Sequence, residues 1–222
     1  SFFVDYNNNQ QDNSRVVNAS VIDSSFNVVP LREEINVPSR SSSIGARVDY
    51  QLNEKNTLMF RYGFSRNNSE NQGVSDFSLP TRAFQVSGSS QDFRLTEAMI
   101  VNPKTVNETL FAFSLNKREQ EGDNSTPTIN VSGAFTGGGS QVGLNYNDST
   151  RWEIQNNTTT SFGKDNQHSI KFGVRVRGIS IKDRSESNFG GMFTFAGVRD
   201  SQTGALLYSS IEQYRQKVLG NP

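Results

Sequence analysis

Six charged residues stand at alternate positions in three segments of this 222-residue chain: Arg47 and Asp49, then Arg61, then Lys171, Arg175 and Arg177. Each is flanked by apolar side chains. Charges spaced this way on an extended chain share one side of it. They are either solvated or in contact with a polar solute or protein segment lying against that side. Neither role makes or breaks bonds. Residues that could do so are scarce. His168 is the only histidine, and a general base needs an orienting partner that nothing in the sequence marks. Cysteine is absent, so metal sites of the Cys/His type are excluded. No carboxylate cluster has calcium-loop spacing. The glycines Gly133, Gly137, Gly138, Gly139 and Gly143 lack the Lys-Ser/Thr of a phosphate loop and read as a flexible loop tip. The expectation is a protein that is not an enzyme and carries no cofactor.

Three hairpins carry these charges. From Ile44, the residues Ile44, Ala46, Val48, Tyr50 and Leu52 fall on one face and Arg47, Asp49 and Gln51 on the other. After the turn Asn53-Glu54-Lys55-Asn56, the apolar set returns as Leu58, Phe60, Tyr62 and Phe64, against Arg61, Gly63 and Ser65. The second hairpin, about residues 92–117, turns at Asn102-Pro103-Lys104-Thr105. It carries Thr109, Phe111, Phe113 and Leu115 on its returning strand, and Phe93, Leu95 and Met99 with Glu97 on its descending one. The third starts near Ser149 with Trp152, Ile154, Asn156, Thr158, Thr160 and Phe162 on one face. It turns at 163–167 and returns as Ile170, Phe172, Val174 and Val176. The phase slips at Gly178, after which Ile179 and Ile181 carry the apolar side; one extra residue at a glycine predicts a β-bulge.

One greasy face, one charged face, short turns at one end and long polar stretches at the other are the requirements of an outer-membrane β-barrel. The sequence therefore predicts an all-β fold: an antiparallel meander of long amphipathic hairpins, forming a partial transmembrane β-barrel with long extracellular loops. Lipid-facing candidates are Val48, Tyr50, Phe60, Tyr62, Phe111, Phe113, Trp152, Phe172 and Val174. Lumen-facing candidates are Arg47, Asp49, Arg61, Lys171, Arg175 and Arg177. Aromatic residues near strand ends (Tyr50 and Phe162 at the short-turn end, Trp152 and Phe64 at the other) suit interfacial girdles.

Composition agrees. Only 33% of residues are hydrophobic, low for a globular domain but enough for a wall with one apolar residue in two. Lys+Arg and Asp+Glu number 22 each, which removes the electrostatic case for a nucleic-acid partner. No apolar run reaches the length of a transmembrane helix.

Along the chain, strand one is expected over Ser1–Asn8, followed by polar excursions at about 10–43, 67–91 and 118–148. Every proline falls outside the proposed strands, as a residue without an N–H should. Leu207, Ile211, Tyr214 and Val218 recur at helical spacing. Ser209 with Glu212 predicts a capped helix, ended by Gly220 and Pro222. The chain has no starting Met and no signal-peptide pattern, so a fragment or mature segment of something longer is expected.

Phe2-Phe3-Val4-Asp5-Tyr6, Ala46-Arg47-Val48-Asp49-Tyr50 with Asn56-Thr57-Leu58, Val101-Asn102-Pro103-Lys104-Thr105-Val106-Asn107-Glu108 and Asn188-Phe189-Gly190-Gly191-Met192-Phe193-Thr194-Phe195 resemble the barrel of TonB-dependent outer-membrane receptors, closest to the Oar-like branch. The resemblance implies a Gram-negative outer-membrane location and energy-coupled nutrient uptake through a 22-stranded barrel closed by an N-terminal plug. Residues 1–222 would be a partial barrel domain of about seven strands, without plug or energy-coupling box. Its partners would be membrane lipid, the rest of the barrel with its plug, the TonB-type complex acting through that plug, and a solute. Two other functions compete: a porin-like or structural barrel, and a soluble extracellular β-sandwich that binds carbohydrate. The short turns would face the periplasm.

Overall fold

The computed structural model describes residues 1–221. Seven long strands form one antiparallel meander: β1 (Phe2–Ile22), β2 (Val28–Asn53), β3 (Asn56–Gln72), β4 (Phe84–Asn102), β5 (Thr105–Gly122), β8 (Leu144–Phe162) and β9 (His168–Arg184). Between and after them lie β6 (Thr128–Val131), β7 (Phe135–Gly138), β10 (Met192–Phe195), β11 (Val198–Arg199), β12 (Leu206–Tyr208) and the helix α1 (Ser210–Val218). The sheet is open: β1 and β9 are its two edges and do not pair with each other.

The turns follow from their asparagines. The Asn53 carboxamide oxygen accepts from the amides of Lys55 and Asn56, at 2.9 and 3.0 Å. Asn102 accepts from the Lys104 amide at 2.9 Å in the same manner. An Asx side chain that captures the amide two residues on closes a tight turn without help from elsewhere. At the third turn Asp165 and Asn166 both take positive φ, 58° and 57°, which Asn and Asp tolerate.

Cross-strand register fixes the faces. Directly opposed residues share a face. One row runs Phe2, Val48, Phe60, Leu95, Phe111, Ile154, Val176; the next runs Val4, Ala46, Tyr62, Phe93, Phe113, Trp152, Gly178. The phenylalanines of these rows meet edge to face, Phe60 with Phe93 at 5.1 Å and Phe93 with Phe111 at 5.9 Å.

Three expectations need correction. The strands are far longer than the alternation suggests. β1 has 21 residues and β2 has 26, so most of the excursion at 10–43 is strand, and the next two shrink to residues 73–83 and 123–143. From Asn7 to Arg15 in β1 and from Ser65 to Gln72 in β3 both faces are polar, which erases the period-two signal. Pro30 and Pro38 accordingly lie inside β2, opposite Ser20 and Asp12. They are tolerated because pairing with β3 begins only at Ser39, so β2 is an edge strand where they stand.

The bulge at Gly178 is the second. The β8–β9 register runs unbroken from Tyr146–Arg184 to Phe162–His168, with Arg151 opposite Ile179 and Ser149 opposite Ile181. Ile179 and Ile181 therefore stand on the charged face. Gly178 is glycine for another reason: a Cβ there would overlap the indole of Trp152.

The third concerns the glycine run, which is not a loop tip. β7 holds Phe135–Gly138 between β6 and the segment around Leu79. Side chains at Gly138 or Gly139 would collide with the carbonyls of Pro127 and Thr126.

The chain's buried core lies here, at the loop end of the sheet. Val17, Ala19, Val74, Val131, Ala134 and Phe135 form it, with Leu31, Ile35, Phe195, Ile211 and Tyr214 packed around. β10 pairs parallel with β6, and β6 antiparallel with β7. Helix α1 starts at Ser209, whose hydroxyl accepts from the Glu212 amide at 3.3 Å. It places Tyr214 edge-on to Phe135 and Phe195, at 5.4 and 5.1 Å. Gly220 follows it at φ 81°; Pro222 lies outside the described residues. This cap sits on the same face of β1 and β2 as the charges lower down, since Val17 and Ala19 share the parity of Asp5, and Leu31 and Ile35 that of Arg47.

Candidate functional site: a charged concavity

Each candidate charge sits on the face opposite the phenylalanine rows. One row of that face reads Phe3, Arg47, Arg61, Arg94, Ala112, Glu153, Arg177. The row toward the turns holds Asp49, Met59, Thr96, Leu110, Gln155 and Arg175; the row toward the cap holds Asp5, Gly45, Gly63, Asp92, Ser114, Arg151 and Ile179. Lys171 stands apart, near the third turn opposite Thr159.

The Arg47 row and the row toward the cap line a hollow of about 1110 Å³ that draws residues from all seven strands of the sheet. A recess spanning seven adjacent strands requires a sheet curled about its charged face. On this face, at the turn-side rim of the hollow, Arg47 Nε donates to Asp49 at 2.9 Å. Arg175 Nε donates to Gln155 at 3.1 Å and lies 3.5 Å from Glu153. Arg61, Arg94, Arg151 and Arg177 have no carboxylate within 4.0 Å among the described residues.

The sequence reading missed Arg94, Arg151, Asp5, Asp92 and Glu153. Arg94 was legible, since it alternates with Phe93 and Leu95, but Glu97 on the apolar face of the same strand obscured the pattern. His168 stands at the turn end, its ring 5.3 Å from that of Phe162. No group of three or more His, Asp or Glu residues among those described is placed to hold a metal ion.

The opposite face is bare. Phe172 is 59% exposed, Val174 63% and Tyr50 61%. Val48, Phe111, Phe113 and Trp152 are exposed as well, and Phe60 and Tyr62 are half-covered by neighbouring strands. An apolar surface of this extent is covered in the working protein by something other than the chain itself.

A family model described as outer membrane beta barrel domain matches residues 18–222. The chain belongs to that family. No curated protein and no solved structure matches it. The outer membrane beta barrel domain is a bacterial outer-membrane module, and the all-β antiparallel meander is its wall. Strands of 17 to 26 residues exceed the roughly 9–11 needed to cross a bilayer. The surplus lies at the cap end, where the strands carry polar residues on both faces.

Proposed function

We propose that this barrel domain is the transport wall of a TonB-dependent receptor, taking up a solute in an energy-coupled way. The observation that carries the reading is the hollow lined by all seven strands, six of which bring a charge to it, behind a sheet whose other face is bare and apolar. The residues shared with receptor barrels, from Phe2-Phe3-Val4-Asp5-Tyr6 to the turn Asn102-Pro103-Lys104-Thr105, add the energy-coupled part. Val48, Tyr50, Phe60, Tyr62, Phe111, Phe113, Trp152, Phe172 and Val174 face lipid. Arg47, Asp49, Arg61, Lys171, Arg175 and Arg177 face the lumen.

The apolar belt supports this assignment by its slant. It is centred near Val48 on β2 and between Phe172 and Val174 on β9. Those β9 residues pair with Thr158 and Asn156, nearer the turns than the Val48 row. A belt oblique to the strands is what tilted strands in a flat bilayer produce. Beyond the belt, the outward row becomes Arg66, Ser89, Lys117, Asp148 and Lys182, suited to headgroups.

Further strands would complete the wall by pairing with β9 and the lower part of β1, and a plug would fill it and meet the energy-coupling complex. Near its cap end β1 has no free edge, because Asn18 and Ser20 donate to Asp76 and Ala134 at 2.7 and 3.2 Å. The test is uptake by cells carrying the full-length gene, with and without the inner-membrane coupling complex. Loss of uptake without the complex is the expected result. Unchanged passive flux would favour a porin.

A further inference from the structure

We infer that the mid-height row of the hollow is a binding site for an oxyanion, a carboxylate- or phosphate-bearing solute. This deepens the transport reading by naming the chemical class of its cargo, and it rests on that reading for the direction of the face.

Arg47, Arg61 and Arg94 are directly opposed on three adjacent strands. Residues so opposed stand about 4.5–5.5 Å apart at Cβ, and like charges there destabilise a sheet. Asp49 neutralises Arg47; Arg61 and Arg94 are left side by side without a carboxylate within 4.0 Å among the described residues. The nearest acids do not resolve this. Asp92 accepts from the Ser90 hydroxyl at 3.0 Å, Asp5 lies over Gly45, and Glu153 stands beside Arg175. Around the two free guanidinium groups the wall is cut back. A side chain at Gly63 would meet nothing within 4 Å, and Ala112 is the residue opposite Arg94. Two planar forks above small residues, in an open recess, are built to hold an oxyanion in bidentate fashion. An anion between them also relieves their repulsion, so site and wall are stabilised together.

The test uses the full-length protein folded in detergent micelles. Citrate and inorganic phosphate are titrated by calorimetry at constant ionic strength, with glucose as the uncharged probe. Binding of citrate or phosphate and not glucose is expected. The double variant Arg61→Gln/Arg94→Gln should bind at least about tenfold more weakly, about 1.4 kcal/mol. Lys182→Gln, on the opposite face, should bind as the parent does. Resistance of the folded barrel to unfolding in cold detergent checks that each variant is folded. Absence of anion binding by the parent, or equal binding by the double variant, overturns the proposal. So does a double variant that loses stability while the parent binds no anion, because the protein's own carboxylates then occupy the row. Uptake without the coupling complex is measured separately. Energy-coupled uptake with no anion binding defeats only the anion claim; anion binding with passive uptake defeats only the receptor reading.

Discussion

The cap and the wall below it obey opposite rules in one chain. In the cap, apolar residues are buried and the chain supplies its own cover: Val17, Val74 and Val131 are almost wholly enclosed. In the wall, Val174 and Phe172 are largely bare although they are no less apolar. The same strand shows both habits. β1 turns Val4 and Tyr6 to the phenylalanine face near the short turns, and Val17 and Ala19 to the charged face near the cap. The side that takes the apolar residue changes with height. The proposed membrane orientation gives the reason: hydrocarbon beside the lower rows, water beside the upper ones, where burial is possible only beneath the folded loops. Apolar burial is governed by what lies against each face, not by the strand.

Val174→Arg in the full-length barrel should cost about 2–4 kcal/mol if that position lies near the bilayer midplane. Ile179→Arg, on the charged face of the same strand, should cost less. Gly173 is not the right partner for this pair, since any side chain there would strike Asn157 and the Asn156 carbonyl. Folding titrations in lipid vesicles compare the two, and equal costs would mean that both faces are covered by protein.

In the cap, Phe135→Ala should cost roughly 3 kcal/mol of local stability, the usual scale for emptying a buried aromatic site. Hydrogen exchange should rise in β6, β7 and α1 while the barrel keeps its resistance to unfolding. An insertion at Gly138 should do the same. Melting of the wall together with the cap would show that the two are one cooperative unit.

Gly178→Ala lies within the wall and tests a smaller effect. It should displace the Trp152 indole, cost about 1–3 kcal/mol as overpacking does, and shift the fluorescence of the chain's single tryptophan. An unchanged spectrum would mean that the glycine has no such role.

The smallest effect is expected at the junction of cap and wall. The Glu186 carboxyl is held below the usual carboxylate range, first by the Leu144 amide at 2.9 Å and then by Arg184. A carboxyl whose pKa is lowered by folding stabilises the fold above its unfolded value, about 4.3. That contribution is lost as pH falls through the folded value. Exchange around residues 142–146 and 184–187 should therefore increase on acidification, and Glu186→Gln should flatten the dependence. A junction equally protected at both pH values in the parent would contradict this role.

The lower wall was legible in the sequence because its strands alternate between an apolar face and a charged one. Ile44 to Phe64 gives its faces by parity alone, and the Asn-led turns declare themselves. The upper wall was not, because β1 from Asn7 to Arg15 is polar on both faces and reads as loop. Nor was the cap, whose core joins Val17, Val74, Val131 and Tyr214 across long sequence separations. The charged row was half legible: Arg47 and Arg61 follow from alternation, but that Arg94 stands beside them depends on register. Gly178 misled, since a glycine that admits a neighbour's ring and one that bends a strand look alike in sequence.

These 222 residues hold no cysteine, so the two-faced wall is directly measurable with single introduced thiols. Val174→Cys and Arg175→Cys, made singly in the full-length protein in lipid vesicles, place a nitroxide label on adjacent residues of one strand. The label at 174 should be relaxed mainly by oxygen dissolved in lipid and the label at 175 mainly by a water-soluble nickel chelate. Equal access of both reagents to both positions would contradict a two-faced wall.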